Sequence, residues 1–355
     1  MDSPISQAVL VFDNGSSKIR AGYAGEEEPR VRRHNPVYSD ASSLERHPIE
    51  DGLVTDWDAF ENIWRDIFDK QFDLSTSACP VVMSERPLTP KPHRRKMAEL
   101  LFESFQTPAV HLASASALSM YSAGRTTAMV ILSGESSTFI TPHYEGFPLP
   151  HATAHLPFGG GTVTSALQAV LSSPSHPLSL STARAIKHRC CYAPVKGYLA
   201  EVARTRYSNA PLDWPRARAE SPEYTLPDGH TVSLETEAFS APEFAMSLDT
   251  WAPTVRSSTS KCVLDIRRDL NANIILSGGG TLLPGLGDRI ANDLIASETR
   301  GSWARYRVVA PAEWDLSTWI GGSVLGSLST MEEMWVTKQD YEEVGAEVVA
   351  WRCLF

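Results

Sequence analysis

The chain has 355 residues, 42% of them hydrophobic, enough apolar material for one large core or two ordinary ones. Its formal net charge of -10 repels phosphate backbones and argues against direct nucleic-acid binding. The five cysteines (Cys79, Cys190, Cys191, Cys262, Cys353) show no metal-ligand spacing, and neither a signal peptide nor a membrane-spanning apolar run is recognisable, so a reducing compartment, cytosol or nucleus, is expected.

In chain order, Ala8-Val9-Leu10-Val11-Phe12 reads as a buried strand, broken at Asp13-Asn14-Gly15-Ser16-Ser17 and resuming after Lys18 at Ile19-Arg20-Ala21-Gly22-Tyr23. This is the pattern of a β-hairpin with a small, hydroxyl-bearing tip. Lys91, His93, Arg94, Arg95 and Lys96 form the one candidate basic patch, read as a solvated first helical turn. Met129-Val130-Ile131-Leu132 runs into Ser133-Gly134-Glu135-Ser136-Ser137 and resumes at Thr138-Phe139-Ile140, a second hairpin of the same build. Asn273-Ile274-Ile275-Leu276 then leads into Ser277-Gly278-Gly279-Gly280-Thr281-Leu282, followed by an amphipathic stretch around Asp288 to Ile295. Such tips turn backbone N–H groups toward an anion, glycines admit a flat ligand close to the backbone, and Asp13 and Glu135 each add a carboxylate that can hold Mg²⁺ through bound water. Two similar hairpins, with Gly15 and Gly134 at matching places, suggest a duplicated α/β domain with a ligand between its halves.

That architecture is shared by actins, sugar kinases and the large heat-shock ATPases, and strings outside the turns select among them. Val11 to Ser16 with Ala21-Gly22-Tyr23-Ala24-Gly25 is similar to the first phosphate loop of actins. Pro48-Ile49-Glu50-Asp51-Gly52-Leu53-Val54-Thr55-Asp56-Trp57-Asp58 resembles the segment that follows the DNase-binding loop of that family. Tyr121 to Thr127, Tyr144 to Ala152, Asp265 to Leu270, Trp319 to Ser323 and the ending from Ser327 through Met334-Trp335 to Tyr341-Glu342 match as well. The resemblance implies an actin-like fold of two duplicated α/β domains around a nucleotide cleft. It places subdomain 1 at 1–34, 48–122 and 317–355, a truncated subdomain 2 at 35–47, subdomain 3 at 123–158 and 253–316, and subdomain 4 at 159–252.

The departures carry the functional expectation. In actins a glutamine positions the attacking water while an aspartate and a histidine complete its network; Ala115, Leu132 and Phe139 stand at those positions. A methyl group and two apolar side chains neither orient nor polarise water, so efficient ATP hydrolysis is not expected. Asp13, Gly15, Ser16, Ser17, Arg20, Gly134, Glu135, Ser136 and Ser137 keep the phosphate-side positions, and Lys18 adds a cation. Gly160, Arg184, Lys187, Gly279, Gly280 and Leu282 keep the nucleoside side, but His188 replaces a ribose-binding glutamate and Asp315 an adenine-packing lysine. ATP or ADP with Mg²⁺ as a structural ligand, and an empty cleft, both stay open.

Only eighteen residues separate Pro29 from Pro48, and the stretch from Pro242 to Lys261 is also short. These are where actins carry the loop and the apolar plug that repeat along a filament, so a homopolymer is not expected. The barbed-end groove keeps Tyr121, Gly124, Thr126, Phe147, Leu325, Leu328, Thr330 and Met334, with His111, Ser114 and Ala117 as altered rim positions. Leu325, Leu328 and Met334 read equally as core. The expectation is a protein partner, an amphipathic helix or a light chain, in that groove. The leading reading is a structural subunit of a cytoskeletal or motor complex of dynein, axonemal or dynactin type, located in the cytoplasm or an axoneme. The alternatives are a nuclear chromatin-remodelling subunit, an ATP-switched slow ATPase, and a cap on actin filaments.

Overall fold

The computed structural model describes residues 8–35, 38–39, 45–72, 79–173, 177–194, 222–226, 228–297, 305–310 and 315–353. Two mixed sheets organise it, and the strand–hairpin unit seen in the sequence is the centre of each. In the first, β1 (Leu10–Asn14) pairs antiparallel with β2 (Lys18–Tyr23), which pairs with β3 (Val31–His34). On its other side β1 runs parallel to β4 (Val81–Glu85), and β4 parallel to β5 (Ala109–Ser114), with Val336–Thr337 at the edge. In the second sheet β6 (Ala128–Ser133) pairs antiparallel with β7 (Thr138–Tyr144) and parallel with β8 (Ile274–Ser277), which in turn pairs with Val308–Val309. The same hairpin with a parallel neighbour thus occurs in both halves. The central strands are buried on both faces, as parallel sheets covered by helices must be.

Helix α1 (Trp57–Gln71) shows how the first sheet is covered. The Asp56 side chain accepts from the Ala59 N–H at 2.9 Å and caps the helix. Phe60, Ile63, Trp64, Ile67 and Phe68 then recur at helical spacing and are buried. Trp64 stacks on Phe12 of β1 at 4.0 Å between ring centroids, and Phe68 and Phe105 extend the aromatic cluster. The same tryptophan donates to Asn14 Oδ1 at 3.2 Å, so the core reaches up to brace the hairpin tip.

Helix α2 (Lys91–Glu99) corrects one expectation. His93 accepts from the Val54 N–H, Arg94 pairs with Glu85 and donates to the Cys353 carbonyl, and Arg95 pairs with Glu347. Three of the five basic residues therefore bond other parts of the fold; Lys91 and Lys96 are exposed, with Lys96 3.5 Å from Glu99 of the same helix.

The two halves meet where α3 (Ala115–Ser122) crosses the late helix Ser317–Gly326. A Cβ on Gly321 would collide with the Leu118 carbonyl, so glycine sets this approach. Ser119, Ser277, Ser317 and Thr318 form a buried hydroxyl network beneath it, with oxygens 2.6–3.0 Å apart. The segment with the short expected plug is helical, Glu237–Ala245 followed by Trp251–Ser260. The truncated subdomain 2 shows a two-strand pair, Tyr38–Ser39 with Glu45–Arg46; residues 36–37 and 40–44 of it, and 195–221 of subdomain 4, lie outside the described residues. No helix among the described residues is long and apolar enough to cross a membrane.

Candidate functional site

The two hairpin tips face each other across a cleft enclosing a cavity of about 190 Å³. They are closed alike: Gly15 N–H donates to the Lys18 carbonyl at 3.0 Å, and Gly134 N–H to that of Ser137 at 2.9 Å. Asn35 Nδ2 holds the first tip through the Gly15 and Ser16 carbonyls, and Gly52 N–H donates to Ser16 Oγ. The second tip is wedged between two glycine turns. Gly160 and Gly161 donate their N–H groups to the Gly134 and Glu135 carbonyls, while Gly278 (φ +85°) and Gly280 press on Ser133. A Cβ at Gly161 would lie 2.8 Å from the Glu135 carbonyl oxygen, which is why small residues cluster there.

Around this cavity lie Asp13, Gly15, Ser16, Ser17, Lys18, Arg20, Gly134, Glu135, Ser136 and Ser137, expected from the resemblance on a phosphate side, and Arg184, Lys187, His188, Gly279, Gly280, Leu282 and Asp315, expected on a nucleoside side. Gly160 sits just behind, lining a smaller adjoining cavity with Lys187 and His188. The three reaction positions, Ala115, Leu132 and Phe139, also line the cleft. The register sharpens their meaning. Asp13 is opposite Arg20 in the first hairpin, and Leu132 is opposite Phe139 at the equivalent place in the second. One hairpin presents an ion pair to the cleft, the other two apolar groups.

The charges are largely paired. Arg20 Nη1 donates to Asp13 Oδ2 at 2.9 Å, Ser84 Oγ donates to Asp13 Oδ1 at 2.8 Å, and Arg20 lies 3.8 Å from Asp315. Arg184 Nη2 donates to Glu135 Oε1 at 2.7 Å, and Lys187 Nζ to the Gly160 carbonyl at 2.7 Å. Helix α4 (Gly160–Leu171) and α5 (Leu180–Cys190) carry this wall, and burial holds the Lys187 ammonium below its ordinary range despite Glu135. The fit to a divalent cation is poor. Both Asp13 oxygens and one of Glu135 already accept strong donors, and no group of three His, Cys, Asp or Glu among the described residues can hold a metal. The fit to a nucleotide's phosphate chain is better, because a Cβ added at Gly279 would meet open space in the cleft and lysine ammonium groups stand on both walls.

Around Phe139 stand Arg86 and His155, which the sequence does not single out, and Asp51. The Phe139 ring stacks on His155 at 4.6 Å and 12°, with the Arg86 guanidinium 5.5 Å from its centroid. Arg86 pairs with Asp51, whose other oxygen lies 3.8 Å from His155 Nε2. Asp51, Arg86, Phe139 and His155 thus close a ring from one half of the molecule to the other. Asp51 and Gly52 (φ +50° and +70°) make the Asp-Gly turn between Ile49–Glu50 and Leu53–Val54, which is legible as a hairpin signal.

The groove positions divide. Phe147 and Leu328 are about half exposed, and Gly124, Thr126 and Thr330 are exposed. Tyr121 donates to the Gly146 carbonyl at 3.4 Å and Met334 is half-buried, while Leu325 belongs to the core. His111, Ser114 and Ala117 are buried, not on the rim. They sit on β5 and the first turn of α3 beneath the sheet, where His111 Nδ1 bonds the Met334 carbonyl. A comparison of the whole sequence with protein families gives a match over residues 5–354 to the family described as Actin.

Proposed function

We propose, from the premise that the chain belongs to the actin family, that it is a non-polymerising structural subunit with a degenerate ATPase. It docks through the groove at Tyr121, Phe147 and Leu328 onto an amphipathic helix or light chain of a larger cytoskeletal or motor assembly of dynein, axonemal or dynactin type. In this reading the cleft keeps a nucleotide as a structural ligand. The observation that carries it is the state of the reaction centre. Ala115 and Phe139 are buried, Leu132 faces Phe139 in register, and the Phe139 ring is held by His155 and Arg86. No side chain at these three positions can take a proton from water or orient its attack.

What remains of the site binds rather than reacts. Arg20, Lys18, Arg184 and Lys187 supply donors to a phosphate chain, the hairpin tips supply backbone, and Gly279 and Leu282 supply a flat apolar wall. Docking rests on the half-exposed Phe147 and Leu328 and on Tyr121, whose hydroxyl meets Gly146. Exposed apolar side chains of this kind are what a partner's amphipathic helix buries. Two measurements test the reading. Phosphate release from ATP by the purified chain is expected to stay at background, and turnover abolished by Glu135→Gln refutes it. Affinity purification from the native cell is expected to return motor or dynactin-type subunits; recovery of remodelling ATPases instead refutes the assigned assembly.

A further inference from the structure

We propose that the cleft wall between β2–β3 and α5 is a phosphate-gripping site that works without a divalent cation, formed by Lys18, His34, Arg184, Lys187 and His188. It rests on the reading above that the cleft takes a nucleotide, and names how that nucleotide is held.

Lys18 and His34 are register partners on β2 and β3, so their side chains leave the same face of the sheet. Arg184, Lys187 and His188 are spaced i, i+3 and i+4 on α5 and share one helix face. Lys18, Arg184, Lys187 and His188 all line the one cavity, so the two faces oppose each other across the cleft. Their charges act on one another over that gap. Burial, then Lys18 and Arg184, hold the His34 imidazole below its ordinary value, with Glu135 and the Ser17 backbone opposing. Burial, then Lys187, Lys18 and Arg184, do the same to His188, again with Glu135 opposing.

The carboxylate that acts on His34, Lys187 and His188 is Glu135, and it takes one donor of Arg184, while Asp13 and Asp315 of the same cavity face Arg20. The Arg184 Nε is buried without a partner, and Lys18 makes no ion pair among the described residues. The cations gathered on facing walls repel one another and help hold the two imidazoles below their ordinary value, and an anion that enters relieves both effects. A divalent cation brought here would add to the repulsion. A chain of phosphates would instead meet donors from both halves of the molecule, with tetrahedral oxygens suited to guanidinium and ammonium groups. Of these five, His188 and Lys18 are departures noted in the sequence, and both change the cleft in the same direction, toward positive charge.

The test is calorimetric titration of ATP into the full-length protein stripped of nucleotide, once in excess EDTA and once in excess Mg²⁺. The dissociation constants are expected to agree within about threefold. Titration at pH 7 in two buffers of different ionisation enthalpy should show net proton uptake, because the phosphates raise His34 and His188. Inorganic tripolyphosphate in EDTA should compete with ATP. Lys18→Ala and His188→Glu, each checked by circular dichroism for folding, should each weaken binding about tenfold. Binding that requires Mg²⁺ overturns this inference and leaves the nucleotide reading standing. Binding in neither condition overturns both. Two folded variants with wild-type affinity, or tripolyphosphate that fails to compete, remove the basic cluster from the site.

Discussion

The ion pair at the root of the first hairpin provides the most direct test of how the cleft is built. Asp13 and Arg20 face each other in register, 2.9 Å apart, with side chains only 11% and 12% exposed. At an effective dielectric of ~20 their gross attraction is ~6 kcal/mol, and desolvating two nearly buried ions removes most of it. The pair does not stand alone, since Ser84 donates to the other Asp13 oxygen and Asp315 lies 3.8 Å from Arg20. Arg20→Met should therefore cost ~2–3 kcal/mol, because it leaves Asp13 with one hydroxyl donor. Asp13→Asn should cost ~1–2 kcal/mol, because Asp315 still faces the guanidinium. The double substitution should cost less than the sum by ~1–2 kcal/mol, the coupling of the pair. Urea unfolding of the four proteins measures this cycle. Costs that add within ~0.3 kcal/mol would show that the pair contributes nothing of its own and that the first hairpin is held by backbone alone.

Three further outcomes follow from buried groups elsewhere. Arg289, 1% exposed, is held by both Glu243 oxygens, by Asp293 and by the Pro194 carbonyl. Arg289→Met leaves two buried carboxylates unpaired and should cost ~3–5 kcal/mol in denaturant unfolding, so a loss under ~1 kcal/mol contradicts the network. All five cysteines are buried, and burial pushes the Cys353 thiol up to about 11, so Ellman's reagent should find none in the native protein and all five after denaturation. Burial holds His93, His111 and His143 down to about 4, with Arg86 adding to the effect on His93. The unfolded chain binds protons that the native one refuses between about pH 6.5 and 4, so stability is full above 6.5 and lost as pH falls through that window. Near pH 5 the three histidines add close to three protons to the slope of unfolding free energy and Glu85, lifted to about 7, subtracts most of one, so a slope of about two protons is expected; replacing all three histidines by glutamine and leaving the slope unchanged would show that they are protonated in the fold.

Much of the site is local in sequence, and that part was legible. A buried strand run into Asp13-Asn14-Gly15-Ser16-Ser17, repeated at Ser133 to Ser137, announces two hairpins because small polar residues can only interrupt such strands at a turn. The family resemblance extended this to Arg184, Lys187 and Asp315, which no spacing connects to the tips. Phe139 is marked by the resemblance, but its link to Asp51, Arg86 and His155 is not legible, because the four are drawn from separate segments and the other three look ordinary in theirs. His34 escaped for the same reason, since its relation to Lys18 is a strand register that the turn at residues 24–30 does not specify. The misplaced residues err in a consistent way. His111 and Ser114 are polar and sit on a strand, which suggests a rim, but both are buried, with His111 Nδ1 on the Met334 carbonyl and Ser114 Oγ beside Ser116 Oγ, while His111 Nε2 has no partner. Arg94 was read by its charge, whereas its depth is set by Glu85, which burial lifts to about 7 even beside that arginine.

The asymmetry between the hairpins bears on what the cleft keeps. With Leu132 and Phe139 in one hairpin and Asp13 with Arg20 in the other, the second half offers a phosphate little beyond backbone, Glu135 and the α5 cations. Lys18 stands on the first half and Arg184 with Lys187 on the second, so a longer phosphate chain reaches both and a shorter one engages fewer of these donors. A ligand that joins the halves stabilises the fold by mass action, ~2.7 kcal/mol at a hundredfold excess over its dissociation constant. With an unfolding entropy of ~2.1 cal/mol/K per residue, the chain of 355 residues gains ~4 °C in melting temperature. ATP should produce this shift in EDTA, ADP a smaller one at the same concentration, and adenosine none. A shift by adenosine equal to that of ATP would place the binding energy in the base wall at Leu282 and remove the phosphate bridge. On the proposed reading an uncleaved ligand is the better brace, and apolar groups at Leu132 and Phe139 together with cations at Lys18 and α5 then serve one end.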